Sequence, residues 1–401
     1  MSGKKVSVVL PCLNEADSVA RCVVEAIQGL EAAGLEGEVI VVDNGSTDGS
    51  PLLAEAAGAV VVDEPIAGYG AALRGGIAAA SGEICVMADA DCTYPLDRLG
   101  DLVKPVLAGE SDMVIGSRLD DESHVSIPWL HRTIGTPALS FLIRRASRGI
   151  QVEDSQSGYR AFRREQFLSL GMRSTGMEFA SEMLIRASRS GLRVKEVPVG
   201  YRDRVGDSKL RALSDGFRHL QLILLLAPQL LLVWPGALLL SVGVLTAAFT
   251  FANPHGVDVG SLTWQPVFFS PIGIITGSQA VLAGVVLSHR SSVVTEQVHA
   301  HYRFVASPKF ASRCFMLGIL ILLFGVGLDS WLLVAWVTQA GSPANPLAVA
   351  GLAQSFVITG VGTAAFSLVY RLVIGGVWSP AVRRVGPSEI AAVLSGEMSA
   401  L

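Results

Sequence analysis

Charge is scarce in this 401-residue chain: 16% of residues are Asp, Glu, Lys or Arg, against 50% hydrophobic. Soluble chains carry about 25% charged residues. The deficit is uneven. Up to about residue 219 charges alternate with short apolar runs, and from 220 onward long apolar stretches dominate. The composition therefore averages a soluble half with a membrane half. A net charge of −4 gives no basic footprint for nucleic acid. The five cysteines (Cys12, Cys22, Cys85, Cys92 and Cys314) lack the spacing of a zinc site or a disulfide framework, and they read as reduced thiols. No signal peptide is expected, because Lys4-Lys5 leads straight into a short strand-like run.

Basic residues are missing from two further places. The loops 252–266 and 338–346 contain no Lys or Arg. They lie between apolar segments at 229–251, 267–289, 312–337 and 347–374, each long enough to span a bilayer, which takes roughly 20 residues. Arg290, Arg303 and Lys309 fill the loop between the second and third segments, with Arg313 at the start of the third, and Arg371 at the end of the fourth is followed by Arg383 and Arg384. Positive loops stay cytoplasmic. An even number of spans then puts the N-terminal domain in the cytoplasm, at the cytoplasmic membrane. The expected layout is a catalytic domain over 1–209, an interfacial helix over 210–228, a four-helix membrane domain over 229–374 and a cytoplasmic tail over 375–401. Asp329 lies within the third apolar segment. An intramembrane carboxylate suggests a site or a helix-pairing contact, with a structural role at the bundle edge as the alternative.

The first half alternates in type. Strand-like runs at 6–10, 39–42, 59–62, 84–87 and 113–115 are separated by helical patterns at 16–30, 70–80 and 96–107. That alternation predicts an α/β domain with a mainly parallel, Rossmann-like sheet. In such sheets ligands bind beyond the carboxyl ends of the strands. The unusual polar residues fall there: Asn14-Glu15, Asp43, Asp89-Ala-Asp91 and Arg118. Two carboxylates one residue apart after a buried strand suit a hard cation such as Mg²⁺ or Mn²⁺ that neutralises a diphosphate.

The run Val6-Ser-Val-Val-Leu-Pro-Cys-Leu-Asn-Glu15, the run Val41-Val-Asp-Asn-Gly-Ser-Thr-Asp-Gly49 and Asp89-Ala-Asp91 together resemble the family-2 inverting glycosyltransferases of GT-A fold. Gly116-Ser-Arg118, Ser157-Gly-Tyr-Arg-Ala-Phe162 and Tyr201-Arg-Asp-Arg204-Val-Gly-Asp-Ser208-Lys209 look like the polyprenyl-phosphate sugar synthase branch, which includes dolichyl-phosphate-mannose synthases and undecaprenyl-phosphate glucosyltransferases. The resemblance implies that Pro11, Asn14, Glu15, Asp43, Arg74, Asp89 and Ser208 bind the donor. It implies that Asp91, with Asp89, holds the metal, and that Arg204, Ser208 and Lys209 close over the diphosphate. Asn44 stands where the family commonly has a second acidic residue.

A lipid phosphate is already largely dianionic at pH 7 and needs orientation more than a strong base. Arginine suits that task, so Arg118 and Arg132 are the expected phosphate contacts. Arg132 also fits a basic face near lipid headgroups, along with Arg144, Arg145 and Arg148. Asp154 and Ser157 are expected at the acceptor pocket, with a turn or cap role for Asp154 as the alternative. Glu178 and Glu182, one helical turn apart, are expected to read the sugar. The expected catalytic set is Asp89, Asp91, Arg118, Arg204 and Lys209. The expected partners are a nucleotide-sugar donor (UDP-hexose or GDP-mannose), a polyprenyl phosphate lipid, the membrane and a second copy of the chain. Two rivals are a processive polysaccharide synthase, whose Gln-x-x-Arg-Trp run is absent, and a membrane scaffold with a degenerate domain.

Overall fold

The computed structural model describes residues 5–119, 136–147, 150–205, 212–259, 262–264, 267–294, 304–305, 307, 309–339, 341 and 343–373. The expectations placed on Arg132, Arg148, Ser208, Lys209 and the tail lie outside these residues. The chain falls into two compact units, the first of Met1–Leu231 with Arg290–Gln297 and the second of Leu232–His289 with Val298–Leu401.

Among its described residues the first unit has seven strands: β1 (Val6–Cys12), β2 (Gly37–Asp43), β3 (Val60–Asp63), β4 (Ile84–Met87), β5 (Met113–Ser117), β6 (Arg160–Arg163) and β7 (Val194–Pro198). Their spatial order is β3-β2-β1-β4-β6-β5-β7. All pairings are parallel except those of β6, which runs antiparallel to both β4 and β5. Valine dominates β1 and β2 because these central strands are covered on both faces, where β-branched side chains pack well.

Alternate residues of β1 serve opposite faces. Val6, Val8 and Leu10 pack with α1 (Val19–Ala33), α2 (Ser50–Ala56) and α4 (Gly100–Leu107). Val9 packs on the other face with α3 (Tyr69–Ala79), α5 (Thr136–Ala146), α6 (Arg164–Ser169), α7 (Phe179–Arg189) and α8 (Ala212–Leu226). Helix α1 forms because Val19, Cys22, Val23, Ala26 and Leu30 make one buried stripe. It stops at Gly34, whose φ of 67° is the left-handed cap that glycine favours. The expected helix over 96–107 is divided: a tight 3₁₀ turn spans Leu96–Arg98, and α4 follows from Gly100. The turn lies hard against α1, where a Cβ on Gly29 would sit 2.1 Å from the Leu96 carbonyl oxygen.

Helix α8 is two-sided. Ile223 and Leu226 are buried in the first unit's core, and Phe217, Leu220 and Leu225 are exposed.

The second unit holds α9 (Trp234–Ala252), α10 (Phe269–Val294), α11 (Phe310–Thr338) and α12 (Pro346–Val373). Among the described residues four stretches are long and apolar enough to cross a membrane: Gln229–Ala252, Phe269–His289, Phe310–Thr338 and Pro346–Arg371. These coincide with the four spans read from hydropathy. A short hairpin of β8 (Val257–Val259) and β9 (Leu262–Trp264) joins the first two. Small residues let the helices touch backbone to backbone. A Cβ on Gly277 of α10 would lie 2.4 Å from the Leu240 nitrogen of α9, and one on Gly360 of α12 would lie 2.4 Å from the Leu322 nitrogen of α11. Asp329 of α11 accepts a 2.8 Å hydrogen bond from the Gln354 amide of α12, so it pairs two spans.

Candidate active site

The site lies where the sheet reverses direction. Strand β4 ends at Met87, and the chain turns through Asp89-Ala90-Asp91. Because β6 is antiparallel, its entry rather than its exit meets this turn. Gly158, just before β6, lies against Asp89, and a Cβ there would be 3.1 and 3.2 Å from the two carboxylate oxygens. The Tyr69 hydroxyl donates to Asp89 Oδ1 at 2.9 Å. Burial, helped by the nearby Asp91 charge, pushes the Asp89 carboxyl up to about 6.

Asp91 is more deeply buried, at 4% exposure. Its Oδ1 accepts from the Thr93 hydroxyl at 2.6 Å and the Thr93 amide at 3.1 Å. Its Oδ2 lies 3.0 Å from Arg204 Nη1. Arg204 Nη2 reaches across to Glu15 Oε1 at 2.7 Å. One guanidinium therefore ties the loop after β1 to the aspartate turn. The Arg204 Nε is buried without a hydrogen-bond partner among the described residues.

This donor set fits a hard divalent cation. It offers the carboxylate oxygens of Asp89 and Asp91 within one turn. Mg²⁺ is typically bound by one or two carboxylates plus substrate phosphates, and this turn offers two.

The loops after β1 and β2 are stitched together. Asn14, at a φ of 52°, accepts from the Thr47 amide through Oδ1 at 2.7 Å, and its own amide donates to Ser46 Oγ at 2.9 Å. The Glu15 amide donates to Ser50 Oγ at 2.8 Å, and the Ala16 amide to Asp48 Oδ2 at 2.9 Å. Asp43 accepts from the Ser46 amide at 3.1 Å and stays half-buried at the end of β2. Pro11 sits beside Val42 in the β1–β2 register. Arg74 donates to the Arg173 carbonyl at 3.3 Å. It lines a cleft of about 320 Å³ with Glu64, Ile66, Phe167 and Met172.

On the other side of β4, Arg118 and Asp154 form a bidentate pair. Arg118 Nε donates to Oδ2 at 2.7 Å and Nη2 to Oδ1 at 2.8 Å, and the Arg118 amide adds a bond of 3.0 Å. Burial pushes the Asp154 carboxyl up, but the hydrogen bonds and charge of Arg118 outweigh it and hold it below its usual value. The Asp154 and Glu153 amides both donate to the Glu196 carboxylate of β7 at 2.8 Å. The guanidinium of Arg118 lies 5.4 Å over the Tyr201 ring, which meets Tyr94 edge-on at 5.5 Å. Tyr94 in turn accepts the Gly158 amide at 2.9 Å.

Ser157 is fully buried. Its carbonyl, with those of Ser155 and Ala180, accepts from the wholly buried Arg160 at 2.9 Å in each case. Burial lowers Arg160 to about 10, so it remains charged at neutral pH. Behind this loop, the Gln156 amide donates to Ser181 Oγ at 3.2 Å, and Ser181 shares a 2.8 Å bond with His219 of α8.

The two glutamates differ. Glu178 accepts from the Gly176 amide at 3.2 Å, while its Oε2 is buried without a partner among the described residues. Glu182 is engaged by the Ser174 amide at 2.7 Å, the Arg173 amide at 3.0 Å and Arg186 Nε at 2.6 Å. Its carboxylate shapes the 173–175 loop, whereas sequence spacing alone had suggested a sugar contact.

Asp89, Asp91, Arg204 and Glu15 are thus brought together, and Arg118, Asp154 and Ser157 form a second group joined to them through Tyr94 and Gly158. Tyr69, Tyr94, Arg160 and Tyr201 were not anticipated. Two of these stand in motifs singled out from the sequence, Arg160 in the 157–162 run and Tyr201 at the head of the 201–209 run.

A mostly parallel sheet with one reversed strand, and paired aspartates at the turn, define a GT-A-type glycosyltransferase domain. Residues 7–171 match the description Glycosyl transferase family 2. The chain is similar to the low-salt glycan biosynthesis hexosyltransferase Agl6 of Haloferax volcanii, 34% identical over 356 residues, which cover 88% of this chain and 85% of that protein. It belongs to glycosyl transferase family 2. A dolichyl-phosphate hexose transferase of the same organism is 34% identical over 184 residues, 45% of this chain and 76% of that protein. The solved structure of glucosyl-3-phosphoglycerate synthase from Mycobacterium tuberculosis with Mn²⁺, UDP and phosphoglyceric acid is similar at a TM-score of 0.44 and 29% identity, covering 56% of this chain and 77% of that one.

Proposed function

We propose that the protein transfers a hexose from a nucleoside-diphosphate sugar to the phosphate of a polyprenyl phosphate, inverting the anomeric carbon, at the cytoplasmic face of the membrane. The cluster of Asp89, Asp91 and Arg204, in a chain with four membrane-length helices, is the observation that carries this reading. The name of the dolichyl-phosphate hexose transferase relative supports a lipid acceptor. The bias of Arg290, Arg303 and Lys309 to one loop supports the orientation.

In this scheme Asp43 and the stitched loops around Pro11, Asn14 and Glu15 hold the nucleoside. Asp91 and Asp89 would hold a Mg²⁺ or Mn²⁺ ion, which supplies charge neutralisation to the diphosphate when bound. Arg204, whose Nε–H has no partner among the described residues and which lies between Glu15 and Asp91, presents a cation to the leaving diphosphate. Ser208 and Lys209 would extend that cationic loop. Arg118, oriented by Asp154 and stacked on Tyr201, holds the attacking phosphate, and Arg132 is a second candidate for that contact from the sequence. Glu178, whose Oε2 lacks a partner among the described residues, reads a sugar hydroxyl. Much of the acceleration comes from placing the phosphate and the anomeric carbon in line.

The test is a radiolabelled donor panel of UDP-glucose, UDP-galactose, UDP-N-acetylglucosamine and GDP-mannose. Each is offered with undecaprenyl or decaprenyl phosphate and Mg²⁺ or Mn²⁺, and the lipid is then extracted. UDP-glucose is the first donor to try. Chelator-sensitive label in a lipid-phosphate sugar is expected. Asp91→Asn should reduce it by about 100-fold or more while the protein stays folded. Label in a growing glycan, or near-normal turnover in folded Asp91→Asn, would count against the scheme.

A further inference from the structure

The residue that departs from the family pattern, Asn44, has a defined set of partners. Its Nδ2 donates to the carbonyls of Glu64 and Ile66, both at 2.8 Å. Its Oδ1 accepts from the Gly68 amide at 2.6 Å. Only a carboxamide does all three, because an ionised carboxylate has no N–H to donate. The three bonds fix the segment 64–68, which enters α3.

The same entry is clamped from the other side. The amides of Gly70 and Ala71 both donate to the Thr175 carbonyl, at 2.8 and 3.1 Å. Gly68 has a φ of 131°, and a Cβ there would lie 2.2 Å from the Thr175 oxygen. Glu182 secures this second loop through the Arg173 and Ser174 amides. Between the two clamps stands Tyr69, the residue whose hydroxyl donates to Asp89.

We infer that Asn44 is a positioning residue. Its carboxamide sets the start of α3 so that Tyr69 holds Asp89 in place for the donor, and the base is left to Asp43. The assignment rests on the donor-site reading given above. It also accounts for the residue type, since an aspartate at 44 would lose both donated bonds and face two carbonyl oxygens.

The experiment measures binding of UDP and of GDP, each with Mn²⁺, to the full-length protein in detergent by calorimetry. It compares the unaltered protein with Asn44→Asp, Tyr69→Phe, the double variant and Asp43→Ala. Asn44→Asp and Tyr69→Phe are each expected to raise the Kd of the preferred nucleotide about tenfold. The double variant should be no more than about twofold weaker than the weaker single one, because both changes act through Asp89. The preference between UDP and GDP should not change. Thermal unfolding of each variant confirms that the loss is not general. Asn44→Ala removes the same bonds without adding a charge, and it carries the test if the aspartate variant does not fold.

Multiplicative losses, an altered base preference, or an unchanged Kd in Asn44→Asp would each overturn the inference. Asp43→Ala separates the two levels. If it binds nucleotide normally, or if the unaltered protein binds neither nucleotide, the donor-site reading fails and the inference with it. If Asp43→Ala abolishes binding while Asn44→Asp does not weaken it, the inference alone fails.

Discussion

Arg118 and Asp154 show how little of an arginine's role is contained in its own position. The strand-end location of Arg118 was legible, because a cation after a buried strand is unusual. Its fork is filled by a carboxylate that lies far along the chain, in a loop without a regular pattern. Removing one member of a buried pair leaves the other uncompensated, at about 3–5 kcal/mol. Asp154→Asn, nearly isosteric, should lower stability by that order, read as a fall in the thermal midpoint. The pH dependence has a definite sign. Asp154 is held below its unfolded value near 3.9, so the contribution is full above that pH and is lost as pH falls through the lower folded value. The variant should lack this acid limb, and an identical limb in both proteins would refute the assignment. Asp43, Asp89 and Asp91 were equally legible, as polar residues directly after apolar strands. The use of Asn44 and Glu182 was not, because both bind backbone groups that become neighbours only after the chain folds.

At the scale of elements, periodicity carried most of the architecture. Strands β1 to β5 and the four spans follow from runs of the right length and composition. Strands β6 and β7 were harder. Arg160–Arg163 is only four residues long and carries arginine at both ends. Its place depends on pairing with β4 and β5 rather than on its own pattern. Helix contacts in the second unit were also hidden, since every face of these helices is apolar. The contact at Gly360 makes this testable. A leucine there would meet the Leu322 backbone, not a flexible side chain. Gly360→Leu should push α11 and α12 apart and destabilise the detergent-solubilised protein by about 1–3 kcal/mol. Nucleotide binding by the catalytic unit should be retained. A melting profile like that of the unaltered protein would show that the helices do not meet there.

For the molecule as a whole, the orientation scheme makes opposite demands on its loops. In a background with the five cysteines replaced by serine, a single cysteine at Asn253 or Gln339 should react with a membrane-impermeant maleimide added to intact cells. One at Lys309 should react only after permeabilisation. The reverse pattern would place the catalytic domain on the wrong side for cytoplasmic donors.

The reversed strand also bears on biosynthesis. During translation β4 and β5 leave the ribosome before β6, although β6 separates them in the finished sheet. Until Arg163 has emerged, neither has its β6 partner, and an unpaired strand edge is a vulnerable state for a nascent chain. The last strand of the sheet ends at Pro198, and the first membrane-length stretch begins at Gln229. The sheet's strands have therefore all been synthesised before the first hydrophobic stretch is made for delivery to the insertion machinery. Chaperones that shield β4 would act before Arg163 emerges, and so before the growing polypeptide is committed to the bilayer.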